Sequence, residues 1–172
     1  MKSMTEFKKL GNNVKIYEKA KLIHPEVIEI DDGAQIDDFT FIYGGKGTYI
    51  GKYVHIASFV SVIGGGKFYI GDYGAIAAGA RIVTGTNTYE GGFHMSAAAP
   101  REKQNLKISY IRIEKDGFIG TNAVVHPGVT IGEGAIIGSN SLVTKDVEPW
   151  TINVGSPCRV IGKRPKVLFE DE

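Results

Sequence analysis

Cysteine is almost absent from this chain of 172 residues, in which Cys158 is the single thiol. One cysteine excludes an internal disulfide framework, so we expect a cytoplasmic protein. No stretch approaches the roughly 18–20 consecutive apolar residues of a membrane-spanning helix, and no membrane span is predicted. An excess of one charge is also missing, since 20 basic and 19 acidic side chains leave a net charge of +1. This balance predicts no binding to nucleic acid.

Glycine, in contrast, is abundant. The chain contains 23 glycines, about 13% of its residues against an average of about 7%, and they do not follow the period of collagen. Many tight turns are therefore expected.

An aliphatic residue recurs at every sixth position over most of the chain. In the segment IGEGAIIGSNSLVTKDV, residues 131–147, Ile131, Ile137 and Val143 are six residues apart. A helix repeats its buried face every three or four residues and a strand every two, so neither fits this spacing. Upstream, the aliphatic residues form triplets with steps of six inside a triplet and eight between triplets. Three short strands per turn describe a triangular solenoid, and we predict a parallel β-helix of about seven coils.

The aliphatic residues of this ladder, called rung residues below, are predicted to point into the prism. From residue 30 onward they are Ile30, Ile36, Ile42, Ile50, Ile56, Val62, Ile70, Ile76, Ile82, Ile113, Ile119, Val125, Ile131, Ile137 and Val143. The chain is interpreted as one domain, 1–172, with coils at about 10–82 and 113–160. A long loop, the excursion, interrupts the ladder at 83–112, and a tail of residues 161–172 is expected to leave the prism and dock on its side.

Several segments resemble the repeats of a known family. IGKYVH, IASFVS, IGTNAV, IGEGAI and IGSNSL are similar to the repeats of the hexapeptide-repeat acyltransferases. The stretch HPGVTIGEGAIIGSNSLVTKDVEPWTINVGSPCRVIGKR, residues 126–164, resembles the C-terminal ending that is common in that family. The similarity spans about residues 10–164 and points to the small members for polysaccharide biosynthesis and galactoside O-acetylation.

The resemblance implies a fold, an activity and an assembly. The fold would be an all-β, left-handed parallel β-helix, although parallel crossovers are generally right-handed. The activity would be acetyl transfer from acetyl-CoA, without a metal, to a hydroxyl or amino group of a sugar or nucleotide sugar in surface polysaccharide biosynthesis. The assembly would be a homotrimer with active sites between subunits.

Two histidines are candidates for the catalytic base. Acyl transfer needs a base for the acceptor's proton and hydrogen-bond donors for the oxyanion, and histidine is the usual base near neutral pH. His55, in IGKYVHIASF, lies beside a coil corner and is predicted to point away from the prism axis. His94 lies in the excursion, where galactoside members of the family carry a catalytic histidine shortly after a stretch like IVTGHPVH. This chain reads IVTGTNTY instead, and His94 follows several residues later. The alternative for His55 is a surface corner histidine, and the alternative for His94 is a mobile loop histidine.

Substrate contacts are implied by the same resemblance. Asn87 and Tyr89 occupy a place where the polysaccharide subgroup carries a DDY-like stretch. The pair Asp37–Asp38, in IDDFTF, also resembles that subgroup, with a solvated corner as the equal alternative. Since His55 follows the first strand of a coil and the excursion follows the third, one chain would hold them on different corners.

Coenzyme A is expected along the C-terminal coils. In the family its pantetheine arm lies in a groove that small outer residues keep open, with basic residues toward the end of the chain for the nucleotide phosphates. The alternatives are a turn or corner requirement for each small residue and a solvated surface for the basic ones. The predicted set is Gly120, Ala123, Gly138, Ser139, Ser141, Lys145, Gly155, Arg159, Lys163 and Arg164.

Two other classes of protein compete with this interpretation. A γ-carbonic-anhydrase-like metalloenzyme would share the β-helix, but it needs three histidines around one metal, two of them close in sequence. Here His24 and His55 are far apart and no HxxxxH spacing exists. A non-catalytic β-helix scaffold or binding module is the second alternative, and it should not bind coenzyme A.

Overall fold

The chain winds into a prism whose three faces are β-sheets, with parallel strands except at the C-terminal end of the second sheet. The structure, a computed structural model, describes residues 7–169. The first sheet contains β1 (Lys9–Leu10), β4 (Ile28–Ile30), β7 (Thr48–Ile50), β10 (Lys67–Ile70), β15 (Tyr110–Ile113) and β18 (Val129–Ile131). The second contains β2 (Lys15–Ile16), β5 (Gln35–Ile36), β8 (His55–Ile56), β11 (Ala75–Ile76), β16 (Phe118–Ile119), β19 (Ile136–Ile137), β21 (Thr151–Val154) and β22 (Arg159–Lys163). The third contains β3 (Lys21–Ile23), β6 (Phe41–Tyr43), β9 (Ser61–Ile63), β12 (Arg81–Val83), β17 (Val124–Val125) and β20 (Leu142–Val143).

Helical structure is limited to single turns in the part of the chain that the structure describes. Two 3-10 helices lie at Pro25–Val27 and Arg101–Lys103. No helix of residues 7–169 is long and apolar enough to cross a membrane.

Stacked aliphatic side chains fill the prism, as the period of six predicts. Every rung residue named above from position 30 onward is at most 1% exposed. Successive coils pair in register, so that Ile50 lies opposite Ile70 and Ile70 lies opposite Ile113. Each rung therefore covers the rung of the neighbouring coil, and the core is one continuous column.

The excursion does not interrupt this column, because β10, which precedes the excursion, pairs directly with β15, which follows it. It is shorter than predicted, since β12 extends to Val83 and β15 begins at Tyr110. It begins and ends in an antiparallel hairpin of β13 (Gly85–Asn87) and β14 (Leu106–Ile108). The hairpin crosses Gly64, where an added Cβ would lie 2.2 Å from the Gly85 nitrogen, so no larger residue fits there.

Corners of the coils use left-handed backbone conformations three residues after a rung. Tyr53 and Tyr73 (φ 55° and 58°) occupy one corner, and Phe39 and Phe59 (φ 62° and 63°) occupy another. This conformation is unfavourable for bulky residues. The rings stack in pairs with centroids 5.2 and 5.1 Å apart, which offsets part of that cost.

The C-terminal segment departs from its predicted path. Residues Arg159–Lys163 fold back as β22 and pair antiparallel with β21, so β-structure continues beyond the predicted end of the coils at residue 160. Leu168 and Phe169 are almost fully exposed and do not pack on the prism. Residues 170–172 of the predicted tail lie outside the described residues.

A buried carboxylate connects the first three coils. Asp31, 8% exposed, accepts hydrogen bonds from Lys9 Nζ and from Tyr49 Oη, the latter at 2.7 Å. Burial acts to raise the pKa of the Asp31 carboxyl, but the hydrogen bonds from Lys9 and Tyr49 outweigh it and hold the pKa below its usual value. Burial and the contact with Asp31 raise the pKa of Tyr49.

Replacing this carboxylate should therefore destabilise the protein in a pH-dependent way. A lowered folded-state pKa stabilises the fold above the unfolded value of about 4, and this stability is lost as the pH falls through the folded pKa. We expect Asp31→Asn to lower the free energy of unfolding by about 1–2 kcal/mol at pH 7 and by much less near pH 3. Urea unfolding at both pH values measures this, with the exposed Glu133→Gln as control. An equal loss at the two pH values would contradict the assignment.

Candidate active site

His55 lies on the outer surface of the second sheet and is paired with a carboxylate. Its Nε2 lies 2.9 Å from Oδ2 of Asp37, and its side chain is 48% exposed. In the register of the sheet, Gln35 and Ala75 are its neighbours in the preceding and following coils. Gln35 Nε2 donates a second hydrogen bond to Oδ1 of Asp37, at 2.9 Å. Both oxygens of the carboxylate are thus engaged, and the imidazole is held on one side.

The charge on Asp37 defines the hydrogen-bonding state of the histidine. Burial acts to raise the pKa of the Asp37 carboxyl, but the hydrogen bonds from Gln35 and His55 outweigh it, and the pKa lies below its usual value. An ionised carboxylate can only accept, so Nε2 of His55 carries the proton in this pair. In the neutral imidazole, Nδ1 is then the atom that can take a proton from a bound molecule.

The resemblance pointed to Asp37 together with Asp38 and did not pair Asp37 with His55, although the sequence contained the signal for that pair. Gln35 lies opposite His55 in the coil register, and residues i and i+2 of a strand share one face. Asp37 therefore lies on the outer face beside His55, while Ile36 between them points inward. Combining the coil register with the strand period would have identified this pair.

Asp38, the predicted substrate contact, has a structural partner instead. Its Oδ1 accepts the backbone N–H of Lys19 at 2.8 Å and so links two coils at a corner. Asp32, Asp72 and Asp146 make the same kind of contact with the preceding coil. The corner alternative left open by the sequence therefore describes Asp38 better.

The excursion is organised around two buried or half-buried amides. Asn87 Nδ2 donates to the Met95 carbonyl at 3.3 Å and to Gln104 Oε1 at 3.2 Å. Gln104 Nε2 in turn donates to the carbonyls of Ala97 and Ala99. Because backbone carbonyls can only accept, they set the orientation of both amides. Oδ1 of Asn87 is buried and has no hydrogen-bond partner among the described residues, so it is an acceptor that lacks a donor.

The other predicted residues of the excursion lie at its surface. Tyr89 is 77% exposed. His94 is exposed, and its backbone N–H donates to the Lys103 carbonyl at 3.0 Å. His94 leaves the prism with the excursion between the third and first sheets, whereas His55 lies on the second sheet. The two candidate bases therefore occupy different sides of one chain, as predicted.

Three of the residues predicted to line the coenzyme A groove are buried in the prism. The side chains of Ala123 and Ser141 are at most 1% exposed, because they lie at the corner position that turns inward. Ser141 Oγ accepts the N–H of Gly155 at 3.0 Å. Gly120 is pressed against the next coil, where an added Cβ would lie 2.6 Å from the Ser139 nitrogen. The expectation that these three are small outer residues was wrong, and each is small because the coils pack closely.

The other residues predicted to bind coenzyme A are accessible, with one exception. Ser139, Lys145, Gly155, Arg159 and Lys163 are exposed, and Gly138 is partly exposed. The exception is Arg164, which ties the C-terminal segment to two coils: its Nη1 donates to the carbonyls of Asp116 and Gly134 at 2.7 and 3.1 Å. Its guanidinium also lies 5.7 Å from the centre of the Trp150 ring. These contacts give Arg164 a structural role, and its contact with nucleotide phosphates stays a prediction.

One cavity of the prism lies away from this chemistry. It has a volume of about 750 Å³ and lies at the N-terminal end of the prism, beside Leu10, Val14 and Ile16. These side chains are only half-buried because no described coil covers them.

Within residues 7–169 there is also no group of three His, Cys, Asp or Glu side chains that could hold a metal ion.

Comparison with known proteins gives the class of this molecule. Residues 110–145 match the family model described as bacterial transferase hexapeptide (six repeats). The dTDP-4-amino-4,6-dideoxy-D-glucose acyltransferase of Escherichia coli is 38% identical over 167 residues, which are 96% of this chain and 87% of that protein. The chain belongs to the hexapeptide-repeat acyltransferases.

Solved structures agree with this assignment. AntD, an N-acyltransferase from Bacillus cereus in complex with dTDP and 3-hydroxybutyryl-CoA, superposes with a TM-score of 0.88 and 31% identity. The match covers 94% of this chain and 85% of AntD. A hexapeptide-repeat containing acetyltransferase from Vibrio cholerae, 24% identical with a TM-score of 0.60, has the same fold. The predicted all-β, left-handed parallel β-helix and the predicted acyltransferase class are both confirmed.

Proposed function

We propose that this protein transfers an acetyl group from acetyl-CoA to the amino group of a dTDP-linked amino sugar. The observation that carries the proposal is the similarity to the Escherichia coli enzyme, which extends over 96% of the chain and includes the candidate site as well as the repeats. The complex of AntD with dTDP and an acyl-CoA supports the same pair of substrates. Such a reaction would prepare a sugar in the cytoplasm for a surface polysaccharide.

Acetyl-CoA would bind along the C-terminal coils and supply the thioester that the acceptor attacks. Lys145, Arg159 and Lys163 are exposed there, and none has a carboxylate within 4 Å among the described residues. Three unpaired cations suit the phosphates of the nucleotide. Ser139 and Gly155 present little side chain to the surface, which allows close approach of the pantetheine arm. A backbone N–H of these coils would hold the oxyanion.

His55 would act as the base. An amine that attacks a thioester must lose a proton, and Nδ1 of the neutral imidazole can take it. Asp37 would hold the ring by its bond to Nε2 and stabilise the imidazolium that forms. His94 remains the second candidate base, and Asn87, whose Oδ1 is buried, would act by holding the excursion in shape through its hydrogen bonds to Met95 and Gln104.

The assembly would be a homotrimer in which the excursion of one chain meets His55 of its neighbour. The separation of these elements on one prism supports this arrangement. We expect light scattering to give a mass of about three times the 18.6 kDa of one chain. A stable monomer would contradict the shared site.

Mixing two inactive variants tests the sharing itself. His55→Ala chains and Asn87→Ala chains, dissociated and reassembled together, should regain part of the wild-type rate, because some interfaces then combine an intact His55 with an intact Asn87. Each variant reassembled alone is the control.

The proposed reaction is tested by a screen for thiol release. The protein is incubated with acetyl-CoA and a panel of amino and hydroxyl nucleotide sugars linked to dTDP or UDP. Rapid release of free coenzyme A with a dTDP-linked amino sugar is expected, with slower release for hydroxyl sugars. A protein that neither binds coenzyme A by calorimetry nor releases thiol would instead be the non-catalytic scaffold.

A further inference from the structure

The positive charge of this chain is concentrated in its first coil. Residues 7–23 contain five lysines and one glutamate, a net charge of +4. Because the whole chain carries only +1, the remaining residues together carry −3. The nearly neutral total conceals this asymmetry, and a strongly basic end of a molecule favours an anionic surface as its partner.

The lysines of the first coil surround one end of the prism. Lys9, Lys15 and Lys21 lie in β1, β2 and β3, which are the first strands of the three sheets, so each face carries one of them. All three are exposed. The paired positions of the next coil carry no cation and are Glu29, Gln35 and Phe41. The lysines therefore occupy all three faces only at the N-terminal end.

Three cations of this coil lack a neutralising carboxylate. Two of the five lysines are ion-paired with carboxylates of the next coil. Lys15, Lys19 and Lys21 have no carboxylate within 4 Å among residues 7–169. Lys19 extends over the ring of Phe39, with its Nζ 5.1 Å from the ring centre, and its side chain stays exposed. These three ammonium groups are available to an anionic partner.

The end that these lysines surround is apolar. Leu10, Val14 and Ile16 line its cavity of about 750 Å³ and are only half-buried. The equivalent residues of the second coil are fully buried, namely Ile30, Ala34 and Ile36. Tyr17, 46% exposed, lines the same cavity. Aliphatic surface bordered by a tyrosine and by long lysine side chains is typical of a surface that meets the boundary between water and hydrocarbon.

One class of partner satisfies both the charge and the apolar end. A second copy docked end to end would bring like charges together, and lysines on edge strands oppose such pairing. Nucleic acid would neutralise the lysines through its phosphates but would leave the apolar end in water. The headgroups of an anionic bilayer pair with lysines, and the hydrocarbon boundary beneath them receives apolar side chains.

We infer that the N-terminal end of the prism docks on an anionic phospholipid surface, with the prism axis directed toward the bilayer. Lys15, Lys19 and Lys21 contact the lipid phosphates, and Tyr17 and Leu10 meet the hydrocarbon boundary. The contact is peripheral and reversible, because it combines a few charges with a small apolar area. It involves none of the residues of the candidate active site and is independent of the proposed reaction.

Flotation with lipid vesicles tests the charged part of this contact. Wild-type protein should float with vesicles of phosphatidylcholine and phosphatidylglycerol in equal amounts and should not float with phosphatidylcholine alone. High salt should release it, because the lysines act on the surface potential of the lipid. The triple variant Lys15→Gln/Lys19→Gln/Lys21→Gln should lower the partition coefficient into the anionic vesicles at least about tenfold.

The matched control removes three exposed lysines outside the first coil, Lys67→Gln/Lys103→Gln/Lys166→Gln. This variant should float as the wild type does. Equal losses in the two triple variants, or wild-type binding that salt does not weaken, would overturn the inference. Wild-type protein that shifts a DNA duplex in a gel but does not float with the vesicles would assign the lysines to nucleic acid and overturn it as well.

Fluorescence tests the orientation. Trp150 is the single tryptophan and directly precedes β21, near the opposite end of the prism. Tyr17→Trp adds a second fluorophore at the apolar end. Brominated lipids should quench the added emission of vesicle-bound Tyr17→Trp and should leave the emission of vesicle-bound wild type nearly unchanged. Quenching of Trp150 in the wild type, or none at position 17, would contradict docking through this end.

Discussion

Ile119→Asp should prevent folding or lower the free energy of unfolding by at least about 4 kcal/mol, among the largest effects of a single substitution. Ile119 is fully buried in the second sheet and lies between Ile76 and Ile137 in the register of the coils. An aspartate there would be surrounded by aliphatic side chains without a cation or donor, and burying an unpaired carboxylate costs several kcal/mol. The total stability of a domain is only about 5–15 kcal/mol.

Two matched variants separate this effect from a general sensitivity of the coil. Thr121→Asp introduces the same charge at an exposed corner of the same coil and should change stability by less than about 0.5 kcal/mol. Ile119→Val removes one methylene and should cost about 0.5–1.5 kcal/mol. Urea unfolding followed by circular dichroism gives all three values. If Ile119→Asp folds with nearly wild-type stability, the assigned register of the ladder is wrong.

His55→Ala should lower kcat by roughly 10²–10⁴, the usual contribution of a positioned general base. The affinity for coenzyme A should stay nearly unchanged, because His55 lies on the second sheet in a coil that precedes the C-terminal coils of the expected donor site. Initial rates of thiol release with a verified acceptor, together with calorimetry of coenzyme A, measure both quantities. His126→Ala, at another exposed corner, is the control and should retain full activity.

Asp37→Asn distinguishes a base from a merely exposed histidine. The variant keeps the size of the side chain but replaces the bond between His55 and a charged carboxylate. Such a bond is worth about 1.5–3 kcal/mol, which corresponds to a fall of about 10- to 100-fold in kcat. The effect should disappear in a His55→Ala background. Full activity in both His55→Ala and His94→Ala would exclude either histidine as the base.

The prism could be predicted from the sequence because its contacts repeat. A rung residue such as Ile70 meets its equivalent in the next coil even across the excursion, so one period defines the whole core. Handedness does not follow from this period, which would be the same in either hand; here it came from the family. Residue type alone could not decide where Ala123 and Ser141 lie, since small residues suit both an inner corner and an open outer groove.

The excursion and the C-terminus contain no repeat, so their contacts could not be predicted in the same way. Asn87 and Gln104 meet across 17 residues through local geometry that no periodic rule gives. Arg164 reaches Asp116 only because β22 folds back on β21. The pair His55–Asp37 is intermediate, since coil register and strand period together place it, although the resemblance had pointed to Asp37 and Asp38 alike.

The position of the acetyl group in the product tests the proposed reaction most directly. The protein is incubated with acetyl-CoA and a dTDP-linked 4-amino-4,6-dideoxy sugar, and the nucleotide sugar is then purified and analysed by mass spectrometry and NMR. We predict a product heavier by one acetyl group, with that group in an amide on the sugar nitrogen, and no product from His55→Ala in the same time. An unmodified nucleotide sugar in the presence of active, coenzyme-A-binding protein, or an acetyl ester on a hydroxyl, would contradict the proposal.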